Sequence, residues 1–148
     1  MSLTDRVRAD RLQARKARDG DRVTALGGLL AALQEAAVQA RGDLSEQDEI
    51  ALLRRERKRR EEGAASFREG GREDDARQEE AEAELIGAYL PAEMDAGELA
   101  AIVDAAIAEA GATSPRELGA VMKLVMARTE GRADGKAVSA LVRGRLGG

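Results

Sequence analysis

Nine consecutive charged residues, Arg54–Glu62, stand in the middle of a helical pattern and constrain everything around them. A helix turns by about 100° per residue, so a run of that length puts charge on every side. Such a segment cannot enter a core from several directions. Its helix must project into solvent or run along a partner. Ile50 and Leu53 precede the run, and Ala64, Ala65 and Phe67 follow it, so the same helix regains an apolar edge at both ends. Ser45-Glu46-Gln47-Asp48 resembles a capping box that opens this helix, and Gly70-Gly71 closes it.

The remaining helices follow from apolar spacing and from turn residues. Leu3–Arg18 reads as a helix that is basic on most faces, with Leu3, Val7 and Leu12 as sparse apolar contacts, and Asp19-Gly20-Asp21 breaks it. Val23, Leu26, Leu30, Leu33 and Ala37 then alternate steps of three and four, a heptad-like seam that requires a partner helix. Gly27 and Gly28 inside that seam each cost about 1 kcal/mol against Ala, and the spacing attributes them to close approach of a neighbouring helix. A turn at Arg41-Gly42-Asp43 leads to the charged helix. Glu73–Leu90 is acidic at its start, which suits the helix dipole, and ends in Leu85, Ile86, Tyr89 and Leu90. Pro91 cannot continue the ladder and marks a boundary.

Beyond Pro91, Asp95 caps a helix carrying Leu99, Ile102, Val103, Ala106, Ile107 and Ala110, and Gly111 closes it. Ser114-Pro115-Arg116-Glu117 starts a second, with the stripe Leu118, Val121, Met122 and Val125, and Gly131 is placed to stop it. Asp134 then caps a last helix with the stripe Val138, Leu141 and Val142. No segment alternates with period two over strand length. The chain is expected to be all-α, with an N-terminal helical bundle or long hairpin over residues 1–90 and a small three-helix module over 92–148.

Composition narrows the chemistry. Aromatics make up 1% of the chain and charged residues 35%, so any core is built from small and branched aliphatic side chains and a large apolar substrate pocket is not expected. There are no Cys and no His, which excludes disulfides, thiol nucleophiles and imidazole bases and makes a zinc site or other metal centre unexpected. No apolar run approaches the ~20 residues of a membrane span, and no signal-peptide core is visible. The expected setting is cytoplasmic, without membrane, metal or cofactor.

Two basic segments are candidate sites. Arg54-Arg55-Glu56-Arg57-Lys58-Arg59-Arg60 carries six positive charges in seven residues and could track phosphates, with Arg54, Arg55, Arg57 and Lys58 as contacts. It could equally be a solvated helix with Arg57–Glu61 and Lys58–Glu62 pairs, or be neutralised by the acidic fourth helix. The corner between the last two helices is edged by Lys123, Arg128, Arg132 and Lys136, which could meet a phosphate backbone or simply keep the loop soluble. From Arg116 onward seven basic residues face three acids, an excess of 7 − 3 = +4, whereas Pro91–Gly111 holds five acids and no base. Gly131–Ala137 is no P-loop: it is one residue short between glycines, lacks Ser/Thr after Lys136 and follows no strand. Glu79, Glu80, Glu82 and Glu84 lie on two helix faces and read as a solvated acidic surface rather than metal ligands. No catalytic residue is identified.

Tyr89-Leu90-Pro91, Leu99, Ile102-Val103, Gly119-x-Val121-Met122 and Gly131-Arg132-Ala133-Asp134-Gly135 resemble the GatB/YqeY family, which joins YqeY-like proteins with the C-terminal tail of the GatB component of the tRNA-dependent amidotransferase. The likeness runs the length of the chain and is most specific in its last third. It implies a non-catalytic module associated with tRNA or another RNA, alongside an amidotransferase or other aminoacyl-tRNA-processing enzyme. Carbon–nitrogen ligase activity would then arise only together with other proteins. The family pattern has Arg where Gly27 stands and basic residues where Ala120 and Glu130 stand, so phosphate binding at this corner should be weakened. The competing reading is a protein-interaction adaptor, for which Met122 and Met126 would provide an adaptable groove.

Because the last three helices own a complete apolar set, a fragment spanning 92–148 should unfold cooperatively by circular dichroism. Its length is near the lower limit for a core without disulfide or metal, so its stability should be modest. A featureless melt would contradict this reading.

Overall fold

A computed structural model describes residues 1–147. The described residues are all-α: α1 (Leu3–Lys16), α2 (Gly20–Ala40), α3 (Glu46–Glu69), α4 (Glu73–Gly87), α5 (Ala96–Ala110), a 3-10 turn (Pro115–Glu117), α6 (Leu118–Thr129) and α7 (Gly135–Leu146). Contacts divide the chain into two compact units, Met1–Leu90 and Pro91–Gly148.

Local chemistry explains most helix ends. Ser45, Asp95 and Asp134 each accept a hydrogen bond from the backbone N–H three residues on, satisfying a donor that the first helical turn leaves orphaned. Asp19 does the same for α2, so the Asp-Gly-Asp break is itself the start of the next helix. Ser2 and Asp5 cap α1 reciprocally. The charge of Asp5 is favoured further by Ser2, which lowers its pKa. At the far end of the first unit, α4 stops at Gly87 rather than at Leu90. Tyr89 and Leu90 instead donate to the carbonyls three residues back, the tightened winding expected just before Pro91.

In the first unit α1 packs along α2 and α3 along α4. Val7, Leu26, Leu33 and Leu53 are wholly buried, and Leu29, Leu30, Ile50, Leu52, Ile86 and Tyr89 complete the core around them. Each such aliphatic side chain contributes roughly 1.5–3 kcal/mol. The 21-residue α2 is long and apolar enough to cross a membrane by length and composition, a property that a search for an unbroken apolar run does not reveal. Four of its leucines, at 26, 29, 30 and 33, belong to this core, and 22% of the apolar window is buried. Of the two mid-helix glycines, only Gly27 is closely approached. A Cβ there would lie 3.2 Å from Nε of Arg11, whereas nothing lies within 4 Å at Gly28. The crowding comes from a long side chain laid across α2, not from a neighbouring backbone.

Two polar ties lock α1 in place. Glu49 is only 2% exposed, and its Oε2 accepts from the Thr4 N–H at 2.7 Å and the Thr4 hydroxyl at 2.6 Å. A buried carboxylate on the first turn of a helix is well placed, because the orphan N–H groups and the dipole both favour negative charge there. Near the other end of the unit, the Tyr89 hydroxyl donates to Asp10, and the Arg6 guanidinium sits 5.3 Å from the ring centroid. Burial first, and then the Asp10 carboxylate, push the phenol's pKa up.

The second unit packs α5, α6 and α7 around Val103, Val121, Val125, Val138 and Val142, all without exposed surface. Leu99, Ile102 and Ile107 flank this core, while Ala110 of the expected α5 stripe is exposed.

The Tyr89→Phe variant should lose roughly 1.5 kcal/mol at neutral pH by urea denaturation, the scale of a hydrogen bond to a charged group. Since folding raises the phenol's pKa, its stabilisation is complete below about pH 10 and is lost as pH rises beyond that value. The difference between the two proteins should therefore narrow above about pH 10. A constant difference would contradict the Asp10 tie.

Candidate nucleic-acid interface

The corner between α6 and α7 is built from the backbone outward. Thr129 is fully buried, and its hydroxyl donates to the Met126 carbonyl at 3.2 Å. Two successive left-handed residues follow, Glu130 at φ 50° and Gly131 at φ 77°, so the helix turns away one residue earlier than Gly131 alone would require. The Arg132 N–H then donates to the Thr129 carbonyl at 2.8 Å, Ala133 is buried, and Asp134 caps α7.

Arg132 is part of this framework. Its carbonyl accepts from the Met94 N–H at 2.7 Å, its Nε donates to the Ala92 carbonyl at 3.2 Å, and its Nη1 lies 3.5 Å from Glu98. Arg128 pairs with Glu109, and Arg145 lies 3.5 Å from Asp104. All three acids of α5 thus each take one arginine from the basic segment. Among the described residues, Arg116, Lys123, Lys136 and Arg143 are exposed and have no ion pair. The four expected corner cations are therefore not equivalent: Lys123 and Lys136 are free, while Arg128 and Arg132 are engaged. Arg116 and Arg143 belong to the charge excess of the segment but not to the expected corner. The sequence signal for Arg143 is its spacing of seven from Lys136, which puts both on one exposed stripe of α7. Asp134 places a carboxylate at the start of α7, which opposes the phosphate-binding role otherwise open to that N-terminus.

The run in α3 is divided in the same way. It lies along α4, and α4 neutralises part of it. Arg54, expected to face phosphate, is 9% exposed; it directly follows the core residues Leu52 and Leu53 and shares their burial. The Arg60 Nε is 3.1 Å from Glu82 and 4.0 Å from Glu79, and Arg59 pairs with Glu56 at 3.2 Å. Arg57 pairs with Glu61 at 3.8 Å, whereas Lys58 and Arg55 are exposed and have no ion pair among the described residues. Burial outweighs the Arg60 charge at Glu82 and raises that carboxyl's pKa. Further along, Arg68 bonds Glu73 and Glu80, lowering the pKa of each. Three of the four clustered glutamates of α4 are therefore ion-pair partners of α3. Small residues, Ala64, Ala76 and Ala83, are buried between these two helices and let them approach.

Against protein-family models, the YqeY-like protein family matches residues 4–146. The chain belongs to the YqeY-like family. No curated protein matches it. In this YqeY-like protein Met122 and Met126 are half-buried and packed against the second unit's core, with Met126 Cε 3.8 Å from where a Cβ on Gly135 would stand.

Arg132→Ala should destabilise the second unit by about 1 kcal/mol in chemical denaturation, because it breaks a charged hydrogen bond to a backbone carbonyl. Arg145→Ala, which loses only an exposed ion pair, should cost less than about 0.5 kcal/mol. Equal effects would contradict a framework role for Arg132.

Proposed function

We propose that this YqeY-like chain is a non-catalytic, RNA-associated protein of the cytoplasm. Its favoured ligand is tRNA, and it works beside an aminoacyl-tRNA-processing or amidotransferase enzyme that performs the chemistry. The observation that supports this most is the set of unpaired, exposed cations on α6 and α7: Lys123, Lys136 and Arg143, with Arg116 at the entry to α6. They are the part of the basic segment that α5 leaves free. Phosphate contacts of this kind position a nucleic acid without reading its bases. Arg55 and Lys58 on α3 are a second, smaller source of such contacts. The adaptor reading is less favoured because none of the large hydrophobic side chains exposed among the described residues belongs to the second unit.

With about four phosphates neutralised, log K for tRNA should fall with log salt at a slope of roughly −3 to −4. Fluorescence anisotropy should show the slope becoming shallower by about one to two units in the Lys123→Ala, Lys136→Ala double variant. Arg128→Ala should change it less, whereas Glu109→Gln, which releases Arg128, should strengthen binding. Absence of tRNA binding at low salt, or a slope indifferent to the double substitution, would overturn the reading in favour of an adaptor.

A further inference from the structure

A further basic surface of the first unit lies outside both candidate segments, on α1. Leu3–Arg18 contains Arg6, Arg8, Arg11, Arg15, Lys16 and Arg18 against Asp5 and Asp10, a balance of 6 − 2 = +4. Its apolar inner face, Leu3, Val7 and Ala14, is buried in the core. A second seam runs along the outside, where Asp5, Arg8, Leu12 and Arg15 follow one another at steps of three and four, and Met1, just before the helix, lines the same groove. That is the spacing by which a helix presents one face to another helix. This outer seam borders a groove of about 450 Å³, with Leu30 of α2 at its floor.

Three properties of the groove point the same way. Leu12 is 51% exposed and Met1 is 93% exposed, so two of the three large hydrophobic side chains exposed among the described residues line this one place. Arg11 and Arg15 lie at i,i+4 to each other along one side of Leu12, and neither has an ion pair among the described residues. Like charges at that spacing repel. Arg11 is also laid across α2: its Nε is buried beside Gly27 and has no hydrogen-bond partner among the described residues. Arg8 is the exception, bound to Asp5 at 3.0 Å.

We infer that the groove between α1 and α2 is a docking site for an acidic amphipathic helix of a partner protein. Such a helix lays its apolar residues over Leu12, Met1 and Leu30, and its carboxylates meet Arg11 and Arg15. Helix-in-groove recognition needs this combination of apolar anchors and flanking charge. An RNA phosphate backbone satisfies the arginines but leaves Leu12 and Met1 against a polar ligand. A bilayer surface is a poorer fit as well, because the broad apolar face that an interfacial helix inserts is, in α1, already spent on the core. The inference concerns the first unit and stands independently of RNA binding by the second.

The test is a display selection of random 20-residue peptides on the full chain. The selected peptides should be rich in Asp and Glu, with apolar residues at steps of three and four. A representative peptide should bind at least 10-fold more weakly to Leu12→Asp and to Arg11→Glu, Arg15→Glu. Circular dichroism of Leu12→Asp and of Arg15→Glu alone should match the parent, since both residues are exposed, and Arg15→Glu alone should already weaken the peptide should the Arg11 variant misfold; amide shifts on peptide addition should concentrate in α1 and the facing side of α2. Three results would overturn the inference. One is failure to enrich any peptide. Another is enrichment without acidic excess or without sensitivity to Leu12→Asp. The third is binding of a 20-base-pair RNA duplex or phosphatidylglycerol vesicles, but not of acidic peptides, that is lost in Leu12→Asp.

Discussion

Burial of a small set of aliphatic side chains is what every other feature of this protein relies on. With only one Tyr and one Phe in the chain, no aromatic cluster can anchor either unit. Val7, Leu26, Leu33 and Leu53 carry the first unit, and five buried valines carry the second. Cores of this size leave little surplus once conformational entropy is met. Polar ties therefore matter more than they would in a larger domain. Thr4–Glu49 and Tyr89–Asp10 hold α1 to its neighbours near its start and its middle, and Arg132 sews the α6–α7 corner to the segment before α5.

The same thinness explains the unusual α3–α4 pair. Across its nine charges α3 has no apolar face to offer, so beyond the core residues Ile50, Leu52 and Leu53 it arranges its charges against those of its neighbour. Arg60 and Arg68 reach Glu79, Glu82, Glu73 and Glu80, while Arg55 and Lys58 point elsewhere. Exposed pairs of this kind contribute little individually. Their larger consequence is selective: they remove some cations from the protein's outward field and leave others. In the second unit α5 does the same for Arg128, Arg132 and Arg145. What remains exposed and without an ion pair among the described residues is a smaller and differently placed set than a count of basic residues suggests.

A feature of α1 illustrates how burial and charge interact. Its inner face is consumed by the core, yet its outer seam repeats the same spacing with Leu12 among arginines. One helix thus presents two faces of different character, an inner one buried in the core and an outer one lined by Leu12 and arginines. Membership in the YqeY-like family spans both units, from residue 4 to residue 146.

Helix content, the break before Pro91 and most caps were legible in the sequence, because each depends on residues within a few positions of one another. Ser45, Asp95 and Asp134 each meet a backbone donor only three residues away, and a period of 3.6 needs no distant partner to be recognised. The sequence by itself therefore determined an all-α chain and where most of its helices begin. Tertiary structure decided which charges are available. Arg128 meets an acid 19 residues away, and Arg132 bonds a carbonyl 40 residues away. Arg54 is buried because of where its turn of α3 falls against the core. Periodicity places a side chain on a face of its own helix, but whether that face meets solvent, a carboxylate or a leucine depends on a neighbour whose position only packing establishes.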